Sequence, residues 1–426
     1  MKTFFLLFIV ILTETLNAQQ RDVNFYLNEA KSNSPLIHKA INDNKLIQFD
    51  LQQIKTILSK PEINLEANVL FAPIISHDNG SSHFELTSKG ALDYTGYDLA
   101  VTDGGQYQAY VAVKQALFTA SKYRIYSSKA EVLHQINENT IALTNHEIDQ
   151  LVRNQYIICL KSKKQIEISS ALLNELKTQL LQLQKLVENA IYKQTDLMLL
   201  QIEYQNYAIE NQKNKMDYSI GLCDLNLICG ISDTNNVEIR DVDFQINSDK
   251  IINSNFLIAY KLDSIKIVNE QIINEVKYKP QLNLFANTGL NAVCQPSLNR
   301  LGFSAGVNLS WNIFDGNQRK IQRAKSSINL QTLEFEKKYF VNQNELNKNK
   351  MQLQIEALTK SILLTEDQLN QYDKLIEVYN KELIQGEISV MDYKNLLKDI
   401  AAKKQESLVL KMEKQAVINS YNYWNY

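Results

Sequence analysis

Two stretches of the chain, residues 121–188 and 317–385, contain neither proline nor glycine. Proline removes a helical donor and clashes with the preceding turn, and glycine weakens a helix through its backbone entropy. Their absence over about 70 residues, with apolar residues at steps of three and four, predicts two continuous helices of roughly 100 Å each. The repeat is plain in Leu172, Leu176, Leu180, Leu183 and Val187, and in Leu353, Ala357 and Leu364. Gln, Asn, Lys and Glu fill the other faces, so coiled-coil packing is expected. With five prolines and twelve glycines among 426 residues, the chain has few turns, and its fold must be organised around these rods.

Each rod breaks near residue 190 or 386, and a second helix follows, from 195 to about 220 and from 390 to about 421. Residues 23–59 and 250–278 also read as helical, and Pro61 stops the first of these. Elsewhere the period changes to two. Ile63, Leu65, Ala67, Val69 and Phe71 alternate with Glu62, Asn64, Glu66 and Asn68. Tyr107, Ala109, Val111, Val113 and Leu117 alternate with Gln108, Lys114 and Ala116, although Tyr110 and Gln115 blur the pattern. Leu282, Leu284, Ala286 and Leu290 form one face, and Phe303, Ala305, Val307, Leu309, Trp311 and Ile313 another. Four strands are predicted, at about 62–73, 106–118, 281–292 and 302–314. The Gly-, Ser- and Asp-rich stretch 74–105 reads as a loop.

The elements recur in order. Lys60-Pro61-Glu62-Ile63-Asn64-Leu65 matches Lys279-Pro280-Gln281-Leu282-Asn283-Leu284 at an offset of 219 residues. Leu117-Phe118 matches Ile313-Phe314, and Ala190 with Asp196 matches Gly386 with Asp392, both at 196. The change of offset places about 23 extra residues between the first two markers of the first copy. The chain therefore reads as a duplicated helix-strand-strand-helix unit with a long loop inserted in copy one. Its divisions are a leader at 1–18, a first repeat at 19–230, a linker at 231–249 and a second repeat at 250–426.

Residues 1–18 have the form of a secretory signal: Met1-Lys2, the apolar run Phe4 to Leu12, and a small-residue cleavage site at Ala18. After it there is no run of 18 apolar residues, so the mature chain is either soluble or inserted as β-strands. The net charge of -2 provides no basic field for nucleic acid. The four cysteines are too scattered for a zinc cluster or a disulfide framework, and the five histidines offer no catalytic group. His77, His83 and Asp78 are too few for a metal site, and no phosphate-cradling glycine loop precedes a helix. No cofactor and no enzymatic activity are expected.

The strands have the length and dyad pattern of membrane-spanning strands, with Asn, Ser, Glu and Gln on the other face to suit a wet lumen. Four of them cannot close a barrel, and open edges are intolerable in lipid. Closure requires several chains. The alternative is a small water-soluble sandwich with its apolar face packed inward.

The order helix, strand, loop, strand, long helix, break and return helix, twice over, resembles the TolC family of trimeric outer-membrane efflux proteins. The matching motifs are Lys-Pro-x-Leu-x-Leu at 279–284, Trp311-Asn312-Ile313-Phe314-Asp315-Gly316, and Gly386-x-x-Ser389-x-x-Asp392. They span essentially all of 21–426. The resemblance implies a homotrimer with a twelve-stranded barrel in the outer membrane, continued by a periplasmic helical tunnel. It implies partners in a periplasmic adaptor and an inner-membrane transporter, and passive conduction without catalysis.

By the same resemblance Asp196 and Asp392 stand near the channel entrance, where three chains form rings of like charge; the local alternative is a first-turn carboxylate favoured by the helix dipole. One turn beyond Asp392, where some relatives carry a second acid, the chain has Asn395, and Ile388 replaces an arginine that some relatives use to latch the entrance. Gly386, Glu387, Ile388 and Ser389 form one adaptor-facing tip, and Ala190, Ile191, Tyr192 and Lys193 the other. Tyr107, Tyr110, Phe118, Trp311 and Phe314 are candidates for the interfacial aromatic belts, against ordinary packing roles. The competing functions are a non-conducting periplasmic or surface coiled-coil scaffold and an exported hydrolase.

Overall fold

The computed structural model describes residues 21–86, 90–96, 105–233, 235, 237–247, 254–293 and 300–426. The expected leader, Cys294 and parts of the 74–105 stretch lie outside them. The chain divides into two compact units, one of Met1–Ala40, Asn139–Ile258 and Glu336–Tyr426, the other of Ile41–Glu138 and Ala259–Phe335.

The first repeat contributes α1 (Val23–Ser32), α2 (Pro35–Ser59), β1 (Glu62–Phe71), β2 (Ile74–Ser76), β3 (His83–Glu85), β4 (Tyr94–Gly96), β5 (Gly105–Ala116), α3 (Ala120–Glu188) and α4 (Gln194–Cys229). The second contributes α5 (Asn255–Val276), β6 (Gln281–Val293), β7 (Arg300–Ser310), α6 (Gln318–Gln385) and α7 (Val390–Trp424). The rods α3 and α6 have 69 and 68 residues. No helix among the described residues is long and apolar enough to cross a membrane.

In the first unit, α3, α4 and α7 carry the core. Ser169, Leu172, Leu176, Gln179 and Leu183 of α3 are buried at alternating steps of three and four, the spacing of a coiled-coil seam. The polar members are bonded across the seam, although Gln179 Oε1 has no partner among the described residues. Asn211 of α4 donates to Ser169 Oγ at 2.8 Å and to Ser170 Oγ at 2.9 Å. Buried amides in an apolar seam fix its register, because a slipped pairing leaves them without partners. A second core joins α1 to α3 and α4 through Tyr26, Tyr156, Cys159, Leu225 and Cys229. The linker segment is stitched onto it: Tyr156 OH donates to Arg240 O at 2.6 Å, Tyr218 OH to Val237 O at 2.8 Å, and Arg21 pairs with Asp233.

In the second unit, an antiparallel sheet runs in the order β1-β5-β6-β7. The extra length of copy one falls between β1 and β5, where β3-β2-β4 form a small sheet of their own instead of the expected plain loop. His77 holds this insertion together, its two ring nitrogens each 2.8 Å from a hydroxyl, Ser82 Oγ and Thr95 Oγ1. Asp78 accepts the backbone N–H groups of Leu92 and Asp93. The expected N-terminal helix is two helices, because Asn33 and Ser34 close α1 before Pro35 opens α2.

Candidate functional site

The two helical tips are built alike. At the end of α3, Ala190 N donates to Val187 O at 3.0 Å and Ile191 N to Leu186 O at 2.9 Å. At the end of α6, 196 residues later, Gly386 N donates to Leu383 O at 3.3 Å and Glu387 N to Glu382 O at 2.9 Å. Both turns are closed by a left-handed residue, Ala190 at φ 62° and Gly386 at φ 76°. Such a turn satisfies the carbonyls that a helix end leaves orphaned.

The return helices start with Asp196 and Asp392 in their third positions. Asp196 Oδ2 accepts Lys193 N at 3.0 Å. Ser389 Oγ donates to Asp392 Oδ2 at 2.6 Å and accepts Asp392 N at 3.0 Å. Each carboxylate thus satisfies a local cap and faces the positive end of its helix. Asp392 and Asn395 are exposed, and Asp399, seven residues beyond Asp392, is exposed with them.

Sequence reasoning missed how the tips are joined within the chain. Tyr192 OH stands 2.7 Å from Ile388 O and 3.1 Å from Leu383 O. Asn380 Oδ1 accepts from Gln179 Nε2 at 3.0 Å and Tyr393 OH at 2.8 Å. Around these bonds Leu183, Leu200, Leu383 and Tyr393 are at most 1% exposed, and burial pushes the Tyr393 phenol well up from its ordinary value. A tyrosine in a polar turn gives no periodic signal, so only the fold reveals Tyr192 as the tie.

The sheet has two faces of opposite chemistry. Across its four strands Ile63, Val113, Ala286 and Ala305 form one row, and Leu65, Val111, Thr288 and Phe303 the next. Leu65, Val69, Leu301 and Phe303 of this face are 75–80% exposed, so none of the described residues covers them. The opposite face carries Asn64, Glu66, Asn68, Gln108, Lys114, Asn283, Asn287, Asn291, Ser304 and Asn308. Tyr110 blurs the alternation because it belongs to this polar face, where its hydroxyl donates to Glu66 at 2.7 Å and Lys114 Nζ stands 3.0 Å from the same carboxylate. Among the described residues β1 and β7 each have a strand partner on one side only.

The aromatic candidates separate accordingly. Tyr107 lies on the apolar face opposite Val69. Phe118, Trp311 and Phe314 lie beyond the strand ends, one to four residues past Ala116 and Ser310, and are 86%, 57% and 82% exposed. Pairing stops in copy one where Phe118 turns left-handed, and in copy two Gly316 and Asn317 do the same before α6. The second junction is further clasped. Glu275 accepts from Arg319 Nε and Arg323 Nε, each at 2.7 Å, and these bonds hold its carboxyl down at about 2. Tyr278 OH bonds Asp315, and Trp311 Nε1 donates to Tyr278 O at 3.2 Å. Arg319 and Arg323, four apart on one helix, were a legible sign of this clasp.

No protein-family model matches the sequence, and no curated protein matches it significantly. Solved structures do. CusC superposes with a TM-score of 0.68 over 95% of this chain and 92% of its own, at 11% identity. The outer membrane channel CmeC of Campylobacter jejuni gives 0.68 over 95% and 85%, also at 11%. The outer membrane protein VceC of Vibrio cholerae gives 0.70 over 95% and 96%, at 13%. The chain has the fold of outer-membrane channel proteins. The resemblance to the TolC family implies this protomer fold of long helices with a four-stranded antiparallel sheet.

Proposed function

We propose that the chain is one protomer of a homotrimeric outer-membrane duct, serving a tripartite efflux pump or a type I secretion system. The observation that carries this reading is the two-faced sheet. An exposed apolar face, a polar face and two edges without partners are unstable in water and impossible in lipid unless further copies complete them. Three copies joined edge to edge give twelve strands, with the apolar face toward lipid and the amide-rich face toward a wet lumen. Tyr107 at one end, and Phe118, Trp311 and Phe314 at the other, then sit at the two membrane interfaces.

In this reading the rods continue the barrel as a periplasmic tunnel. The tips, Ala190 to Lys193 and Gly386 to Ser389, face a periplasmic adaptor, and an inner-membrane transporter supplies the energy. Asp392, with Asn395 and Asp399 on the same exposed face, and Asp196 on the neighbouring hairpin line the entrance. Threefold repetition sets like charges against one another there, which favours cations over anions. The caps at Lys193 and Ser389 hold each carboxylate in place, so the structural and channel roles coexist. A non-conducting scaffold would use the rods and leave the sheet's apolar face without a purpose.

The test is single-channel recording of the purified mature protein in a planar bilayer. Stable conductance whose cation preference falls in Asp392→Asn supports the duct. Failure to insert into bilayers or detergent micelles contradicts it.

A further inference from the structure

Each copy of the duplicated unit pairs its own two strands in one register. Glu62 of β1 faces Lys114 of β5; adding the sequence offsets of 219 and 196 gives Gln281 and Ser310, which face each other in β6 and β7. The offsets are therefore structural equivalences, residue for residue. The chain also contains one boundary between copies, where Val113 of β5 faces Ala286 of β6. There β5 runs past the reach of β1: Gln115 and Ala116 face Leu284 and Asn283, and Leu117 N donates to Leu282 O at 2.9 Å. Their counterparts in copy two, Trp311, Asn312 and Ile313, run past the reach of β6 in the same way and have no strand partner among the described residues. Trp311 and Ile313 nonetheless keep the alternation of β7, and Ile313 is 81% exposed.

The helices attached to these strands repeat the contrast. At the internal boundary α3 meets α2, where Asn137 Nδ2 donates to Asn44 Oδ1 at 3.0 Å, and α5, where Asn139 Nδ2 donates to Asn255 O at 3.1 Å. Val132 and Asn139 of α3, seven apart, are 7% and 8% exposed, whereas their counterparts Ile328 and Phe335 of α6 are 60% and 72% exposed. Val276 at the end of α5 is 6% exposed, and its counterpart Ile57 near the end of α2 is 64% exposed. Ile321 extends the α6 stripe by a further seven residues, and Leu46 and Phe49 extend that of α2. A repeat of seven on a bare helical face is a coiled-coil seam lacking its other half. The bare surfaces belong to the two helices joined to the outer edges of the sheet, α2 entering β1 and α6 leaving β7.

We infer that these two edges meet between copies of this chain in the register of the internal boundary. The inference rests on the duct reading and names the partner surface of each edge. Carrying the β5–β6 pairing forward by the same offsets sets β7 of one copy against β1 of the next, with Val307 opposite Val69, Asn308 opposite Asn68 and Leu309 opposite Ala67. Apolar residues then share one face of the joined sheet and amides the other; a slip of one residue would mix them. Trp311 and Ile313 come opposite Leu65 and Ile63, so the stretch that outruns β6 gains a ladder. A slip of two residues toward Pro61 sets Ile313 against it, and proline has no N–H to donate. Beyond the strands, α2 of the next copy closes the seam on Ile321, Ile328 and Phe335. Burying these side chains with Leu46, Phe49 and Ile57 adds apolar area to the backbone bonds of the edge.

The experiment is disulfide trapping in outer membranes containing the full chain, in a Cys223→Ser, Cys294→Ser background. The linked species are resolved by non-reducing electrophoresis, and the mass of the extracted complex is measured on the same sample. Two double variants test the register, Asn68→Cys with Asn308→Cys and Val69→Cys with Val307→Cys. Neighbouring pairs alternate between the wide and narrow positions of an antiparallel ladder, so at least one has the spacing a disulfide needs. Loss of the monomer band to covalent dimers and trimers is expected in one or both. Asn64→Cys with Asn308→Cys, and Leu65→Cys with Val307→Cys, are displaced by about 13 Å along the strand and should stay monomeric on the gel. Ile328→Lys, exposed in the single copy, should lower the temperature at which the trimer dissociates. A trimeric mass with links only in the displaced pairs, or with none, overturns the register and leaves the duct reading standing. A trimer that Ile328→Lys does not weaken overturns the helical seam. A monomeric mass overturns the duct reading itself.

Discussion

At the first tip Ala190 holds the left-handed turn and Lys193 precedes the return helix; at the second, Gly386 holds the turn and Ser389 caps the helix. The backbone bonds that close the two turns are the same, residue for residue, at an offset of 196. The side chains around them are not. Gln194, at the start of α4, is exposed, whereas its counterpart Val390 is 2% exposed. Val187 is half-buried, whereas its counterpart Leu383 is 1% exposed. Helix termination therefore fixes the shape of both tips, and side-chain chemistry decides that the second is packed and the first supplies its cover. Tyr192 of the first tip completes that division by bonding the carbonyls of the second.

The largest test of this asymmetry is a pair of truncations. Leu383→Ala should cost about 2–5 kcal/mol of unfolding free energy, and Val187→Ala under about 1.5 kcal/mol. Chemical denaturation in detergent measures both, and equal costs would erase the distinction. Next come the turn residues, with effects of opposite sign. Gly386→Ala should destabilise by about 1–2 kcal/mol, since a Cβ there also meets Ile191 Cγ2 at 2.9 Å. Ala190→Gly should stabilise by about 0.5–1 kcal/mol, because glycine adopts the left-handed turn without steric penalty. Tyr192→Phe removes one tie between the tips and should cost about 0.5–1.5 kcal/mol. In hydrogen exchange that loss should appear first at residues 383–389, with the seam near Ser169 unchanged.

The two strand-to-helix junctions offer the smallest test. In copy two Glu275 is clasped by Arg319 and Arg323; in copy one the neutral Gln115 Nε2 donates to Ala116 O at 3.0 Å and Leu58 O at 3.4 Å. Because the Glu275 pKa is lowered from 4.5 to about 2, its contribution is complete above about pH 4.5 and is lost as pH falls toward 2. Wild type should be more stable than Glu275→Gln at neutral pH, and the gap should close over that acid window. A gap independent of pH would show that the clasp acts through packing alone.

Much of this was legible from period and punctuation. The rods, the breaks at 190 and 386 and the four strands follow from the lack of Pro and Gly and from the switch to a period of two. Strand ends were overrun because Leu117, Trp311 and Ile313 continue the apolar pattern after pairing has stopped. Hydropathy records a preference for lipid, and the left-handed turns that end pairing leave little trace in it. The small sheet of the insertion escaped notice because three-residue strands are too short to show alternation. At the tips, Asp196 and Asp392 were recognisable as first-turn carboxylates. The Tyr192 tie and the Asn380 node were not, since they join residues 13 to 201 positions apart.

The central claim is that the four-stranded sheet is one third of a closed barrel. The most direct test is the mass of the complex extracted from outer membranes and held in a mild detergent, measured by native mass spectrometry. Three protomers, stable in detergent and dissociated when a proline at Leu65 or Val307 spoils an edge strand, is the predicted result. A monomer that stays in solution without detergent would contradict it.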